Sequence, residues 1–277
     1  MKNKVLTVLS GLLVVILFGA LLLPGCDGGG GGFTSLSGLA KMTPQDSGTI
    51  FFIDVKKFKS DSDFRELYEE MKDSFEYEIT AGSDTDIMDF DDIHYIGMGV
   101  VNYGEVIWLN GDFNLDAIRD QLEDEDYDKD EYLGVEIWYG YSDTLAIHNG
   151  TLILGDEDGV EEAIEVIADP EISVYEKNED IRDVISGLSP GLFSMVTIEA
   201  FYPGAGGVGM AFSKVNADLM EFSGCFLFED NEDAEDALSD IEGDMESSDF
   251  YSVEVSRSGS LVKFSAEIDM DEAGLFW

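Results

Sequence analysis

From Pro44 to Asp269 the apolar positions recur with two periods, one near two residues and one near 3.6, and these divide the chain into strands and helices. Ile50–Ile53 is a short continuous apolar run, which predicts a buried strand. Phe64, Leu67, Tyr68, Met71 and Phe75 recur at helical spacing, with Ser60 ahead of them as a start signal. Tyr95–Val101 and Glu105–Asn110 predict a strand pair turning through Asn102-Tyr103-Gly104. Leu115, Ile118 and Leu122 mark a helix opening at Asn114, and the acidic stretch Glu123–Glu131 reads as a solvated loop after it.

Val135–Tyr139 and Thr144–His148 are again strand-like, and Asn149-Gly150 is the strongest hairpin signal, since both residues accept the positive φ of a type I′ turn. Two helices follow. One carries Val160, Ala163, Ile164 and Ile167 behind an Asp158 cap, the other Ile181, Val184, Ile185 and Leu188 behind Asn178. The last third returns to strands at Leu192–Ile198, Met210–Val215 and Leu219–Phe228. A helix with Ala234, Ala237, Leu238, Ile241 and Met245 on one face comes next. Val253 and Val255, then Val262, Phe264, Ala266 and Ile268, alternate with polar residues, which predicts a half-buried antiparallel hairpin.

A weak repeat runs through this order. Asn114-Leu115-Asp116-Ala117 and Asn231-Glu232-Asp233-Ala234 each open a helix after a strand, and Val135-Glu136-Ile137 and Val253-Glu254-Val255 are the strands that follow. The expectation is an α+β chain of two related modules, residues 42–190 and 191–277, each an antiparallel sheet with helices packed on one face. Residues 26–41, rich in glycine and serine, read as a flexible tether.

Ahead of the tether, Lys2 and Lys4 precede an apolar run from Val5 to Leu23 that ends in Pro24-Gly25-Cys26. Those are the parts of an export signal. Leu23-Pro24-Gly25-Cys26 resembles the lipobox of bacterial lipoprotein precursors. The resemblance implies that residues 1–25 are a signal helix removed before Cys26, that the Cys26 thiol carries a diacylglycerol, and that the rest of the chain is extracytoplasmic and held at the cell membrane. Asp27, in the position after the cysteine, retains many such proteins of enteric bacteria in the inner membrane. A retained membrane-spanning helix is the competing reading of Val5–Leu23, which approaches the roughly 20 residues a bilayer requires. Ser10 and Gly11 interrupt that run, and both readings leave the folded part outside the cytoplasm. The order of elements over about residues 42–270 also resembles envelope lipoproteins described only as domains of unknown function, a likeness that implies location and architecture but no activity.

Charge changes the picture of partners. Residues 1–25 hold two of the 15 basic residues and none of the 60 acids, so the chain from Cys26 onward has a formal charge of −47. Such a field repels nucleic acid and anionic head groups and tolerates metal cations, basic proteins or a saline medium. With 44% hydrophobic and 12% aromatic residues in periodic array, the chain is nonetheless predicted to fold. If Cys26 is lipidated, Cys225 has no disulfide partner, and in a strand-like run it reads as a small hydrophobe.

Three motifs suggest chemistry. Gly204-Ala205-Gly206-Gly207-Val208-Gly209 fits a dinucleotide fingerprint, but a strand-like run rather than a helix follows it. Gly187-Leu188-Ser189-Pro190-Gly191 fits a nucleophile elbow, but no histidine lies beyond His148 to serve as base. Asp124, Asp126, Asp128 and Asp130 have the spacing of a calcium loop, but lysine stands at position 129 where glycine is needed and valine at 135 where glutamate is needed. Asp84, Asp86, Asp89, Asp91 and Asp92 form a second acidic cluster; Asp84, Asp86, Asp89, Asp124, Asp126 and Asp128 are the candidate cation ligands. His94 and His148 are too few for zinc. The sequence thus points to a non-enzymatic binding or structural component of the cell envelope without cofactor, with an envelope protein or a cation as partner. The alternatives are a divalent-cation-binding surface protein and an envelope hydrolase.

Overall fold

The computed structural model describes residues 32–80, 89–101, 104–141, 143–189, 191–198, 202–246, 248 and 250–269, with backbone alone for 74–80. The segment holding residues 1–25, Cys26 and the Gly28–Gly31 run lies outside the described residues, as do Asp84 and Asp86.

Among the described residues twelve strands form one antiparallel sheet: β1 (Thr49–Ile53), β2 (Ile93–Val101), β3 (Gly104–Gly111), β4 (Asp128–Tyr132), β5 (Val135–Tyr139), β6 (Thr144–His148), β7 (Thr151–Gly155), β8 (Phe193–Thr197), β9 (Ala205–Lys214), β10 (Leu219–Phe228), β11 (Tyr251–Ser258) and β12 (Leu261–Asp269). Their order across the sheet is β11-β12-β10-β9-β8-β1-β2-β3-β7-β6-β5-β4. The middle of the sheet is the β1–β8 pair, in register from Thr49↔Thr197 to Ile53↔Phe193. The helices are α1 (Leu36–Ala40), α2 (Val55–Ser60), α3 (Arg65–Thr80), α4 (Leu115–Asp124), α5 (Glu157–Ala168), α6 (Val174–Lys177), α7 (Glu179–Gly187) and α8 (Asn231–Glu246). The α+β class read from the periodicity is therefore what the chain adopts.

Helices cover both faces of the sheet, not one. α2, α3, α4 and α8 pack with Phe51, Met98, Leu109, Met210, Phe222 and Phe264; α1, α5, α6 and α7 pack with Ile50, Phe52, Trp108, Ile153, Val196 and Cys225. The two helices of the repeat, α4 and α8, do share a face. That pair alone suggests one covered face, while α1, α5, α6 and α7 cover the other. Ile50–Ile53, with every residue buried, already carries the mark of a strand covered on both sides.

Residues 33–41 are not tether but packed structure: Ser35 caps α1, accepting from the Gly38 amide at 3.2 Å, and Phe33, Leu36, Leu39 and Ala40 are buried. Leu39 lies so close to Gly97 that a Cβ there would sit 2.5 Å from its Cδ1. A single helical turn amid glycine and serine is too short to show a period. Nor is Glu123–Glu131 a loop, since Asp128–Tyr132 is the edge strand β4, paired with β5 from Asp128↔Tyr139 to Tyr132↔Val135. Four charged residues in five hide an edge strand from any hydrophobic pattern. Val135 consequently opens the second strand after α4, whereas Val253 lies in the first strand after α8, so that part of the repeat was out of step.

The Gly-rich run forms the start of β9, where its glycines make room for α7. A Cβ at Gly209 would lie 2.6 Å from Val184 Cγ1 and 2.9 Å from Leu188 Cδ1. Val184 is fully buried and β-branched, so it cannot swing aside. Gly209→Ala is expected to cost about 1–3 kcal/mol in a urea titration, through displacement of α7. An unchanged midpoint would mean that α7 does not press on the sheet there.

Candidate functional site

In so acidic a chain the few cations show where carboxylates matter, and three networks gather around them. On α4 and the β4–β5 hairpin, Glu136 accepts from Arg119 Nε at 2.9 Å and Nη2 at 2.9 Å and from Trp138 Nε1 at 3.0 Å. Lys129 Nζ lies 2.9 Å from Glu136 and sits 4.6 Å from the Trp138 ring centroid. Burial pushes the Glu136 carboxyl up, but the hydrogen bonds from Arg119, Lys129 and Trp138 outweigh it and bring its pKa from 4.5 to about 2.

The folded-state pKa is depressed, so the stability it confers is present above pH ~4.5 and lost as pH falls through about 2. Glu136→Gln is expected to cost about 2–3 kcal/mol near neutral pH and nothing below pH ~2. Urea midpoints of both proteins across that range test it. A difference independent of pH would deny the carboxylate its role.

Asp91 is the second centre. It follows Asp89, which caps the short 3-10 turn Phe90–Asp92, and it lies 2.6 Å from Lys59 Nζ and 2.6 Å from Lys72 Nζ while accepting from Tyr68 OH at 2.8 Å. The hydrogen bonds from Lys59 and Lys72 hold its carboxyl far below the ordinary range. The third centre is Lys214 at the end of β9, whose Nζ meets Asp61 and Asp63 at 2.6 Å each and ties the start of α3 to the second half of the sheet. All three networks join separate elements, and their carboxylates face ammonium or guanidinium groups.

Asp89 lies 3.1 Å from Lys72 and accepts from the Asp91 amide at 2.8 Å. Asp124 ends α4, Asp126 holds a left-handed backbone at φ 61°, and Asp128 begins the edge strand. Among the described residues no three His, Cys, Asp or Glu side chains converge as a metal site. His94 lies 3.3 Å from Asp112, and His148 lies 2.7 Å from Asn149. Ser189 is exposed after the end of α7. Cys225 is fully buried beneath α7, where burial pushes its thiol up to about 12.

Trp108 and Trp138 are both fully buried but belong to opposite faces of the sheet. Tyr139 donates to Glu161 of α5 at 2.9 Å, and Tyr132 to Glu165 at 2.9 Å. A shallow depression of about 520 Å³ lies beside β11, lined by Asn231, Glu232, Glu235, Asp236 and Arg257. Hydrophobic patterning misses all three ionic centres. The signal that finds them is the scarcity of lysine and arginine.

No family model matches the chain, and no curated protein does. Among solved structures, crystal form IV of TP0453 aligns with 87% of this chain and 94% of its own at 6% identity and a TM-score of 0.49. Crystal form I aligns with 86% and 97% at 6% identity and a TM-score of 0.46. At those values the likeness carries no functional argument.

Proposed function

We propose that this chain is an extracytoplasmic lipoprotein, anchored to the cell membrane through Cys26, and that it serves as a non-enzymatic binding or structural component of the cell envelope. The observation that carries the reading is the segment Leu23-Pro24-Gly25-Cys26 behind a lysine-led apolar run. The ionic centres agree with a structural role for these acids, because Asp91 and Glu136 face cations and join elements of the fold. Neither is aimed at a reactive partner.

The body is two copies of one module. The first runs β1-β2-β3-α4-β4-β5, the second β8-β9-β10-α8-β11-β12, and the sheet order is the same outward from the β1–β8 pair except that hairpin β6–β7 enters between β3 and β5. An approximate two-fold axis normal to the sheet accounts for that order and for α4 and α8 sharing a face. β4 and β11 are then equivalent edges.

The anchoring test uses metabolic labelling with a radioactive fatty acid. The wild-type protein is expected to take up label and stay with membranes through an alkaline wash. Cys26→Ser should take up none and accumulate as uncleaved precursor. Equal labelling of the two proteins would overturn the reading.

A further inference from the structure

The two edges of the sheet are built differently. β4 has five residues, of which Asp128, Lys129, Asp130 and Glu131 are charged, and charge along an edge discourages strand addition. β11 has eight residues with a bulge after Tyr251, and its regular stretch Glu254–Ser258 carries one acid and one base, Glu254 and Arg257. Val253 and Val255 are half-buried and extend the apolar row under α8 to the rim of the sheet. Among the described residues no strand pairs with the outer side of β11.

That edge is acidic on the α8 face. The opposite face carries the exposed Glu254 and, across from Ser256, Lys263 of β12. On the α8 face lies the depression lined by Glu232, Glu235 and Asp236. Arg257 reaches over it to Glu235 at 3.1 Å and to the Asn231 carbonyl at 3.2 Å, while Glu232 and Asp236 have no basic partner among the described residues. We propose that the outer edge of β11 binds an extended, cationic polypeptide segment of another protein as an added strand. Its backbone pairs with the regular stretch Glu254–Ser258, beyond the bulge marked by Ser252 at φ 50°, a small apolar side chain covers Val255, and a lysine or arginine reaches the depression between Glu232 and Asp236.

Backbone pairing supplies affinity in such complexes, and alternate side chains supply selectivity. Charge chooses the occupant. A second copy would bring together two bodies of formal charge −47, whereas a cationic strand is drawn to the edge. The assignment deepens the binding role proposed above, but it is independent of Cys26. Loss of fatty-acid labelling would leave it standing, and its own failure would leave the anchor standing.

The test uses the full chain in non-ionic detergent with a fluorescent eight-residue peptide of alternating valine and lysine, read by anisotropy at about 150 mM salt so that distant charges are screened. A peptide of the same sequence and charge, N-methylated at every residue, cannot donate to the edge. The parent peptide is expected to bind with one-to-one stoichiometry and the methylated peptide at least about tenfold more weakly. Glu232→Gln with Asp236→Asn, on an exposed face of α8, should weaken the parent peptide by about tenfold and leave the melting temperature unchanged. Equal binding of the two peptides would reduce the interaction to general attraction of a polycation and overturn the proposal. So would a sedimenting dimer that the peptide does not dissociate, because a second copy would then own the edge.

Discussion

Replacing Phe222 by alanine should destabilise the protein by about 3–5 kcal/mol, the largest single effect expected from a side chain of the core. Phe222 is 2% exposed and stands at the middle of an aromatic cluster in the second half of the sheet. Its ring stacks on Phe212 at 4.7 Å between centroids and meets Phe264 at 5.1 Å and Phe250 at 5.7 Å. Phe212 in turn meets Phe193 at 6.3 Å, and Phe193 meets Phe51 at 6.2 Å. The cluster therefore runs from β12 through the β1–β8 pair, and the phenyl group at its centre cannot be replaced by collapse of rings held on separate strands. Urea denaturation at constant salt is the measurement. A loss below about 1 kcal/mol would mean that the half of the sheet beyond β8 contributes little to cooperative stability.

The second large effect comes from charge. Raising sodium chloride from about 10 mM to about 1 M should raise the melting temperature by about 5–10 °C. Two electrostatic effects compete. Salt weakens exposed ion pairs such as Arg257–Glu235, each worth at most about 1 kcal/mol. It also screens the repulsion within a chain of 60 acids and 15 bases, where most carboxylates have no cation to face. The partly buried pairs at Glu136 and Asp91 are screened less. Repulsion therefore dominates, and the sign is stabilisation. A falling melting temperature would show that the ionic centres outweigh the net field.

Much of this architecture is legible in the sequence because the middle of the sheet obeys simple periods. Ile50–Ile53, Asn149-Gly150 with φ of 47° and 76°, and the Asn114 and Asn178 caps are local devices that keep their meaning in the fold. The boundaries and edges are less legible. Phe33 and Leu36 are anchored by contacts with β1 and β2 that no local window contains; Phe33 meets Phe52 at 6.1 Å and Tyr95 at 6.4 Å. The helix predicted from Phe64 onward is preceded by the separate helix α2, whose Val55 and Phe58 are only three residues apart. The cap of α5 is Asp156, accepting from Gly159 at 2.7 Å, and not Asp158 two residues on. The candidate acidic clusters were visible as composition. What composition cannot give is their pairing, because Asp91 meets Lys59 and Lys72 only after the fold brings α2, α3 and the Phe90–Asp92 turn together.

Mass spectrometry of the amino-terminal peptide from protein purified out of native membranes decides whether Cys26 is the anchor. The expected chain begins at Cys26, its thiol bears a diacylglycerol, and residues 1–25 are gone. A peptide beginning at Met1, or one in which Cys26 carries a free thiol, would contradict it.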